Sequence, residues 1–192
     1  SIDEGSTTID PETYEILSTR WQKDIESMRD GLAWGSMDLT EPHAGSDLAN
    51  LRSRATQDAD GNWVLTGSKI FITSGHGKYH VVIARSEDPE THPGLEGISL
   101  FLVRAFTDDD QGNRVRHSTL ERVDDKLGHH GSATVTITFD QSPAELIGKR
   151  GEGFRLMLLL MNNARISVGF EALGLCEAAL RMAKAYAAER PS

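Results

Sequence analysis

The sequence has little of several features that mark particular classes of protein. Its one cysteine, Cys176, excludes an internal disulfide and a Cys-x-x-Cys metal site. It has no run of about 18 uninterrupted apolar residues, and its first ten residues are polar and acidic, so we predict neither a membrane-spanning helix nor a secretory signal. It has no basic stretch, and its net charge of -9 disfavours nucleic acid and anionic membranes as partners. These absences favour a cytoplasmic protein, or a mitochondrial-matrix protein in a eukaryote.

The 192 residues, 38% hydrophobic and 26% charged, have the composition of a folded domain, and their pattern changes near Gly31 and near Gly148. We therefore predict three segments: residues 1–30, 31–147 and 148–192. In the first segment, apolar residues recur every three or four positions after Asp10, which can cap a helix that has Pro11 at its first position. The pattern predicts a helix over about Pro11–Arg29.

The middle segment has the period-two alternation of half-buried strands, as in the residues from Ala133 to Phe139. Asp60-Gly61 predicts a hairpin with a two-residue turn between the strands Arg54–Gln57 and Trp63–Thr66. The remaining strand candidates are Gly67–Ser74, Tyr79–Ser86, Gly97–Arg104 and Val115–Val123. Consecutive short strands without intervening helices predict an antiparallel β-barrel or β-sandwich.

After Gly148 the apolar spacing becomes helical again and predicts one long helix or two abutting helices from about Gly151. The fold class is therefore α+β, and of the two sheet architectures we predict the antiparallel β-barrel, flanked by an N-terminal helix and a C-terminal helical segment. The apolar positions of the last segment are more numerous than a helix on one barrel needs, and we expect the chain to be a fragment of a longer protein.

Two polar stretches carry the candidate chemistry. The first, Leu39-Thr40-Glu41-Pro42-His43-Ala44-Gly45-Ser46-Asp47, offers hydroxyls and backbone N–H groups around a proline-stiffened bend. The second, Lys69-Ile70-Phe71-Ile72-Thr73-Ser74-Gly75, places an aromatic ring and a hydroxyl two residues apart on one face of a strand. Taken separately, a tight turn and a strand with a core phenylalanine would account for both.

Together the two stretches resemble the acyl-CoA dehydrogenase family, whose middle domain has Thr-Glu-Pro-x-x-Gly-Ser-Asp followed by Lys-x-aromatic-Ile-Thr-x-Gly. The resemblance continues through three further stretches. They are Lys126 to Thr134, Leu146 to Phe154, and Met161 to Arg165. It implies that residues 31–147 are the flavin- and acyl-CoA-binding barrel, lying between the end of an N-terminal helical domain and the start of a C-terminal one.

The resemblance implies FAD as the cofactor and assigns residues to it. Met37, Leu39, Thr40, Gly45 and Ser46 would line the flavin and its diphosphate, and Phe71, Ile72 and Thr73 would lie along the ring, with the Thr73 hydroxyl by N5. An aromatic face packs well on a flat conjugated ring, and a fixed donor favours the charge that develops on reduction.

The resemblance also implies an acyl-CoA substrate, bound by Ser46, Ser132, Asn162, Asn163 and Arg165. The family removes an α-proton with a glutamate and transfers a hydride from the β-carbon to FAD. Ala164 stands where a minority of members have that glutamate, so the resemblance places the base beyond Ser192, with no catalytic residue in this chain. Glu41 is structural in the family motif.

By the same resemblance, the partners would be electron-transfer flavoprotein and further copies of the full-length chain, in a homodimer or homotetramer. The fragment itself is expected to be nearly colourless and inactive. Adjacent His129 and His130 would point to opposite faces of a strand, and we predict no metal site. Two alternatives remain open. One is a nitroalkane oxidase or flavin monooxygenase of the same fold, and the other is a non-catalytic flavin-binding relative.

Overall fold

The computed structural model describes residues 7–190, which form eleven β-strands and two α-helices. The strands are β1 Thr7–Ile9, β2 Ile16–Thr19, β3 Gly35–Asp38, β4 Arg54–Gln57, β5 Trp63–Thr73, β6 Tyr79–Arg85, β7 Ile98–Arg104, β8 Phe106–Asp108, β9 Arg114–Arg116, β10 Thr119–Val123 and β11 Thr134–Ile147. The helices are α1 Gln22–Arg29 and α2 Gly153–Glu189. The predictions about the polar N-terminus and about the chain's end at Ser192 rest partly on residues 1–6 and 191–192, which lie outside the described residues.

Five strands close into a barrel. Strand β11 pairs with both β5 and β7, β7 pairs with β6, β6 pairs with β4, and β4 pairs with β5. Strands β10 and β3 lie outside this circuit, paired with β11 and β6. The β3–β6 and β4–β6 pairs are parallel and the other pairs of this sheet are antiparallel, so the predicted, mostly antiparallel barrel is confirmed.

The barrel core is formed by alternate, inward-facing residues of the five barrel strands, as the period of two predicts. Its buried members are Ala55, Leu65, Ile72, Val82, Ala84, Phe101, Val103, Val135, Ile137 and Phe139. Trp63 packs against this core, with its ring centroid 5.2 Å from that of Phe101. Burial of these side chains away from water is the main stabilising term of the barrel.

The hairpin predicted at Asp60-Gly61 joins β4 to β5, with Gln57 opposite Trp63. Its turn is longer than the predicted two residues because Asp58 organises the loop. The Asp58 carboxylate accepts the N–H groups of Asp60 (3.0 Å) and Asn62 (2.8 Å), and Gly61 has a left-handed φ of 85°. An Asp side chain that satisfies backbone donors in this way stabilises a wider turn.

The predicted helix over Pro11–Arg29 is wrong in its first half, because β1 and β2 form a hairpin there and α1 begins at Gln22. Asp10 does accept the N–H groups of Glu12 (2.8 Å) and Thr13 (2.9 Å), as a helix cap would. Tyr14 then adopts a left-handed φ of 59°, and the chain reverses so that Ile16 lies opposite Ile9. The predicted helix cap at Asp10 is therefore wrong, because the Asp10 carboxylate closes the loop between β1 and β2.

Helix α1 is attached to the barrel by charged groups. The Asp24 carboxylate lies 2.6 Å from the Arg104 guanidinium on β7, which also contacts Glu145 on β11. The hydrogen bond with Asp24 contributes most to raising the pKa of Arg104 above its ordinary value. This ion pair determines which face of α1 is turned toward β7 and β11.

The barrel unit ends at Leu156, and the residues from Met157 onward form a second unit, the remainder of α2. Of the two possibilities predicted for this segment, the structure has one long continuous helix. Large apolar side chains including Phe170, Leu173 and Met182 are exposed along it. Among the described residues, α2 is the helix long and apolar enough to cross a membrane by length and composition, a test that a core helix of a soluble protein also passes.

Candidate functional site

The first polar stretch folds into a tight bend between β3 and β4. Glu41 and Ala44 exchange two backbone hydrogen bonds of 3.0 and 3.1 Å, with Pro42 and His43 at the corner. Both Glu41 and Ala44 are buried, whereas Gly45 and Ser46 are exposed. A methyl group at Gly45 would meet no atom within 4 Å, so the backbone there borders open space.

A buried ion pair lies beneath this bend. Lys69 on β5 donates to the Glu41 carboxylate at 2.8 Å and to the Leu39 carbonyl oxygen at 3.1 Å, and its side chain is 0% exposed. Glu41 also accepts the backbone N–H groups of Arg52 (2.6 Å) and Ser53 (3.1 Å). The carboxylate therefore has partners on both oxygens, as a buried charge requires.

Both members of this pair have shifted pKa values. Burial alone would raise the pKa of Glu41, but the Lys69 charge and the hydrogen bonds from Lys69, Ser53 and Arg52 outweigh it and hold that pKa below its ordinary value. Burial lowers the pKa of Lys69, and Glu41 opposes the shift. Charge and hydrogen bonding thus keep Glu41 ionised, and its oxygens are occupied by Lys69 and the two backbone N–H groups.

The second polar stretch contains an irregularity that turns an aromatic ring outward. Along β5, Leu65 and Lys69 face inward, so strict alternation would place Phe71 inward as well. The register of β5 against β11 shifts here, and Phe71 takes a left-handed φ of 60°. Ile72 then enters the core at 2% exposure, while Phe71 is 61% exposed. A left-handed non-glycine residue costs free energy and is most common at functional sites.

The side chains of Phe71 and Thr73 are both exposed. Ile72, which was predicted to line the cofactor, has its side chain in the core and can offer a ligand backbone groups alone. Ser74 also has a left-handed φ of 60°, so two unusual residues bracket Ile72-Thr73. Residue-type patterns carry no signal for such backbone conformations.

The fold brings the two polar stretches side by side. The Ile70 N–H donates to the Thr40 carbonyl oxygen at 2.9 Å, which places Thr40 beside the residue preceding Phe71. Met37, on the neighbouring β3, is exposed. At the other end of the stretch, Thr73 lies opposite Thr134 on β11, two residues after Ser132.

Ser132 lies in a loop that borders a cavity of about 350 Å³. Its carbonyl oxygen accepts the Lys126 ammonium at 2.6 Å, and its N–H donates to the His129 carbonyl oxygen at 3.1 Å. Trp34 and His130 line the same cavity. In residues 7–190, no three His, Cys, Asp or Glu side chains are grouped as metal ligands.

Sequence reasoning missed a polar cluster behind the first stretch. Ser36 and Asp38 on β3 and His80 on β6 are all buried. The Ser36 hydroxyl donates to Asp38 at 2.6 Å and contacts His80 Nδ1 at 2.9 Å, while His80 Nδ1 lies 3.0 Å from Asp38. The available signals were a histidine in the otherwise apolar run of β6 and two polar residues two positions apart on β3.

The remaining predicted substrate residues lie on α2. Asn162, Asn163 and Arg165 are exposed, and the Arg165 guanidinium donates to the Asn162 amide oxygen at 3.0 Å. Ala164 stands between them. These residues belong to the second unit, and their proposed role stays a prediction from the resemblance.

Comparisons with known proteins agree with this geometry. Residues 36–142 match the family model of the acyl-CoA dehydrogenase middle domain. The sequence is 36% identical over 163 residues to 3-methylmercaptopropionyl-CoA dehydrogenase of Ruegeria pomeroyi, in a match covering 81% of this chain and 27% of that protein.

Solved structures show the same fold. Butyryl-CoA dehydrogenase from Megasphaera elsdenii superposes with a TM-score of 0.75 at 31% identity, covering 89% of this chain and 43% of that chain. A chain in the structure described as the electron transferring flavoprotein of Acidaminococcus fermentans superposes with a TM-score of 0.74 at 33% identity, over the same shares. The chain spans less than half the length of these proteins. Because the family model covers more than half of the chain, and both polar stretches lie within it, the chain belongs to the acyl-CoA dehydrogenase family.

Proposed function

We propose that this chain provides the flavin- and substrate-binding barrel of an FAD-dependent acyl-CoA dehydrogenase, an oxidoreductase. The observation that carries the proposal is the hydrogen bond from the Ile70 N–H to the Thr40 carbonyl, which sets the two family motifs side by side. Phe71, directly after Ile70, turns its ring outward at a cost in backbone strain. An apolar ring held in solvent in this way is suited to a flat ligand.

The exposed groups fit FAD in their chemistry. Phe71 offers an aromatic face and Thr73 a hydroxyl donor, and the open backbone at Gly45 and Ser46 suits the approach of a diphosphate. Met37, Leu39 and Thr40 would complete the lining, and Ile72 would contribute through its backbone. When bound, FAD would accept the hydride that leaves the β-carbon of the substrate.

The substrate proposed is an acyl-CoA thioester. Ser132 borders the cavity of about 350 Å³ and is close in sequence to Thr134, the partner of Thr73. Ser46, Asn162, Asn163 and Arg165 are proposed to contact the CoA part. The relatives named as acting on 3-methylmercaptopropionyl-CoA and butyryl-CoA favour a thioester over a nitroalkane, and favour dehydrogenation over binding alone.

The residues of this chain would bind and orient the cofactor and the substrate. The catalytic base would come from outside this sequence. Ala164 cannot accept a proton, and both oxygens of Glu41 are occupied by Lys69, Arg52 and Ser53. We therefore propose that a glutamate outside this sequence removes the α-proton. Electron-transfer flavoprotein as acceptor, a homodimer or homotetramer and a cytoplasmic location are part of the same proposal.

The test is FAD affinity in the full-length protein, measured by quenching of flavin fluorescence on titration. Phe71→Ala removes the proposed stacking partner, and we expect about two- to tenfold weaker FAD binding, the value of one aromatic pair. Tyr14→Ala is the matched control, because Tyr14 is also an exposed aromatic residue, with a φ of 59°. It should leave FAD affinity unchanged.

Equal FAD affinities of Phe71→Ala and wild type would remove Phe71 from the site. A wild-type protein that binds no FAD would contradict the proposed function as a whole. Reduction of bound FAD on addition of an acyl-CoA, but not of a nitroalkane, would separate the dehydrogenase from the oxidase alternative.

A further inference from the structure

A single buried side chain joins the two halves of the proposed FAD site. Lys69 lies on β5, two residues before Phe71 and four before Thr73, and its ammonium group donates to Leu39 in the first polar stretch. It is 0% exposed. Ionised groups are costly to bury, and replacing a buried ion pair by apolar residues is often neutral or stabilising. Stability of the barrel is therefore a weak reason for a lysine at this position.

The bond to Leu39 fixes the direction of the next backbone donor. A trans peptide unit is planar, and its C=O and N–H groups point in opposite directions. The Leu39 carbonyl points at Lys69, so the Thr40 N–H, which belongs to the same peptide unit, points away from it. The peptide unit after Thr40 is also fixed by β5, because its carbonyl accepts the Ile70 N–H. Both peptide planes around Thr40 are thus set by one strand.

Glu41 extends this arrangement to the chain entering β4. Its carboxylate accepts Lys69 together with the N–H groups of Arg52 and Ser53, so three separate segments meet at one carboxylate. Lys69 is the member of this group that reaches the backbone of the first polar stretch directly. Removing it frees the Leu39–Thr40 peptide unit to rotate, whereas removing the charge of Glu41 does not.

We propose that Lys69 is a positioning residue for the FAD site: through the Leu39 carbonyl it holds the Thr40 backbone N–H in the orientation that receives the cofactor. This inference rests on the proposed function, and it adds a role that acts through Leu39 and Thr40, with no contact between Lys69 and the cofactor. The Thr40 backbone N–H of the first polar stretch is thereby held in a fixed orientation relative to Phe71 and Thr73 of the second polar stretch.

The experiment compares three variants of the full-length protein with wild type. Glu41→Gln retains the Lys69–Leu39 bond. Lys69→Met/Glu41→Gln removes that bond without leaving a lone buried charge, so the apo protein should unfold within a few degrees of wild type. Arg104→Met breaks the ion pair with Asp24, on another part of the barrel, and controls for general destabilisation.

The readouts are the FAD dissociation constant, the visible spectrum of bound FAD and the apo melting temperature. We expect about tenfold weaker FAD binding and an altered flavin spectrum in Lys69→Met/Glu41→Gln, the effect of one lost buried hydrogen bond. Glu41→Gln and Arg104→Met should bind FAD within about twofold of wild type on the same scale. A double variant with wild-type FAD affinity and spectrum would overturn the inference.

Lys69→Arg provides a second comparison if the double variant does not fold. Arginine keeps a cation for Glu41 but presents its donors in a rigid planar fork, which does not match the geometry of the compact lysine ammonium between Glu41 and Leu39. We expect a larger loss in FAD affinity than in melting temperature, and unchanged affinity would contradict the role of Lys69. Failure of the wild-type protein to bind FAD would instead count against the proposed function. The experiment therefore distinguishes failure of the Lys69 proposal from failure of the proposed function.

Discussion

The buried residues of the barrel unit fall into two regions that differ in what they do. One is apolar, with Leu65, Phe101 and Val103 packed among other aliphatic and aromatic side chains. The other, which we call the polar interior, consists of Ser36, Asp38, Glu41, Lys69 and His80. The apolar region requires shape and volume, whereas the polar interior requires that each donor finds a given acceptor.

The same strands supply both regions. Strand β5 contributes Leu65 to the apolar region and Lys69 to the polar interior, and β6 contributes Val82 and His80. Substitution in the apolar region should therefore change stability, while substitution of Lys69 in the polar interior should also change the geometry of the neighbouring first polar stretch. The comparison teaches that burial alone does not separate structural from positioning residues.

The largest expected effect is in the apolar region. Phe101 on β7 is 0% exposed and packs on Trp63. Phe101→Ala should lower the free energy of unfolding by about 3–5 kcal/mol, through lost transfer free energy and the cavity left behind. Urea denaturation of the apo protein measures this change. Val115→Ala, at a position 42% exposed, should change stability by no more than about 0.5 kcal/mol and serves as control.

The next largest effect is expected in the polar interior, where one substitution removes several buried hydrogen bonds. Asp38→Ala removes the acceptor of Ser36 and the partner of His80 Nδ1. Ser36 and His80 Nδ1 would keep their contact with each other, and we expect a loss of about 1–3 kcal/mol in unfolding free energy from the hydrogen bonds to Asp38 that are removed. Asp38→Asn keeps one amide oxygen as acceptor and should lose less. Equal losses in the two variants would show that the hydrogen bonds do not matter.

The polar interior should contribute to the pH dependence of stability through Glu41. The pKa of Glu41 is held below its ordinary value of 4.5, so the folded state binds fewer protons there than the unfolded state. This contribution to stability is complete above 4.5 and is lost as the pH falls through the lower, folded-state pKa. Glu41→Gln should therefore flatten the acid side of the stability profile measured by urea denaturation between about pH 5 and pH 3. An unchanged slope would contradict the ionised Glu41.

The smallest effect concerns the outward face of β5. Thr73→Val removes the exposed hydroxyl and keeps the branched shape, so stability and FAD affinity should change little. In the full-length protein, reduction of bound FAD by an acyl-CoA should slow by the net value of one hydrogen bond, about 0.5–1.5 kcal/mol. Stopped-flow absorbance measures the rate, and an unchanged rate would remove Thr73 from the proposed mechanism.

The sequence predicted the elements whose signal is local and repeated. Alternation located the barrel strands, and Asp60-Gly61 located a hairpin, because each depends on neighbouring residues. The helix over Pro11–Arg29 was wrong in its first half, because Asp10 closes a hairpin loop in which Tyr14 has a left-handed φ. Backbone conformation of this kind leaves little trace in residue types.

Part of the candidate site could also be predicted from local sequence signals. The two motifs are contiguous, and their adjacency follows from the barrel. The outward turn of Phe71 depends on a register shift between β5 and β11, which is a property of two strands together. The partnership of Lys69 with Leu39 and Glu41 spans about thirty residues, so single-sequence reasoning could note a lysine at an inward position but could not pair it.

The closure of the barrel has a further consequence, for hydrogen exchange. Within residues 7–190, β4 and β6 are joined by one residue pair, Arg54 and Arg85, and by the bond from the Arg85 N–H to the Ser53 carbonyl. Local opening of the barrel should begin where β4 pairs with β6. The Arg85 amide hydrogen should therefore exchange faster than the amide hydrogens of the fully paired strands. The Ser53 N–H is held by Glu41, beneath the first polar stretch. A ligand that immobilises that stretch should therefore slow exchange at Arg85, outside the site itself.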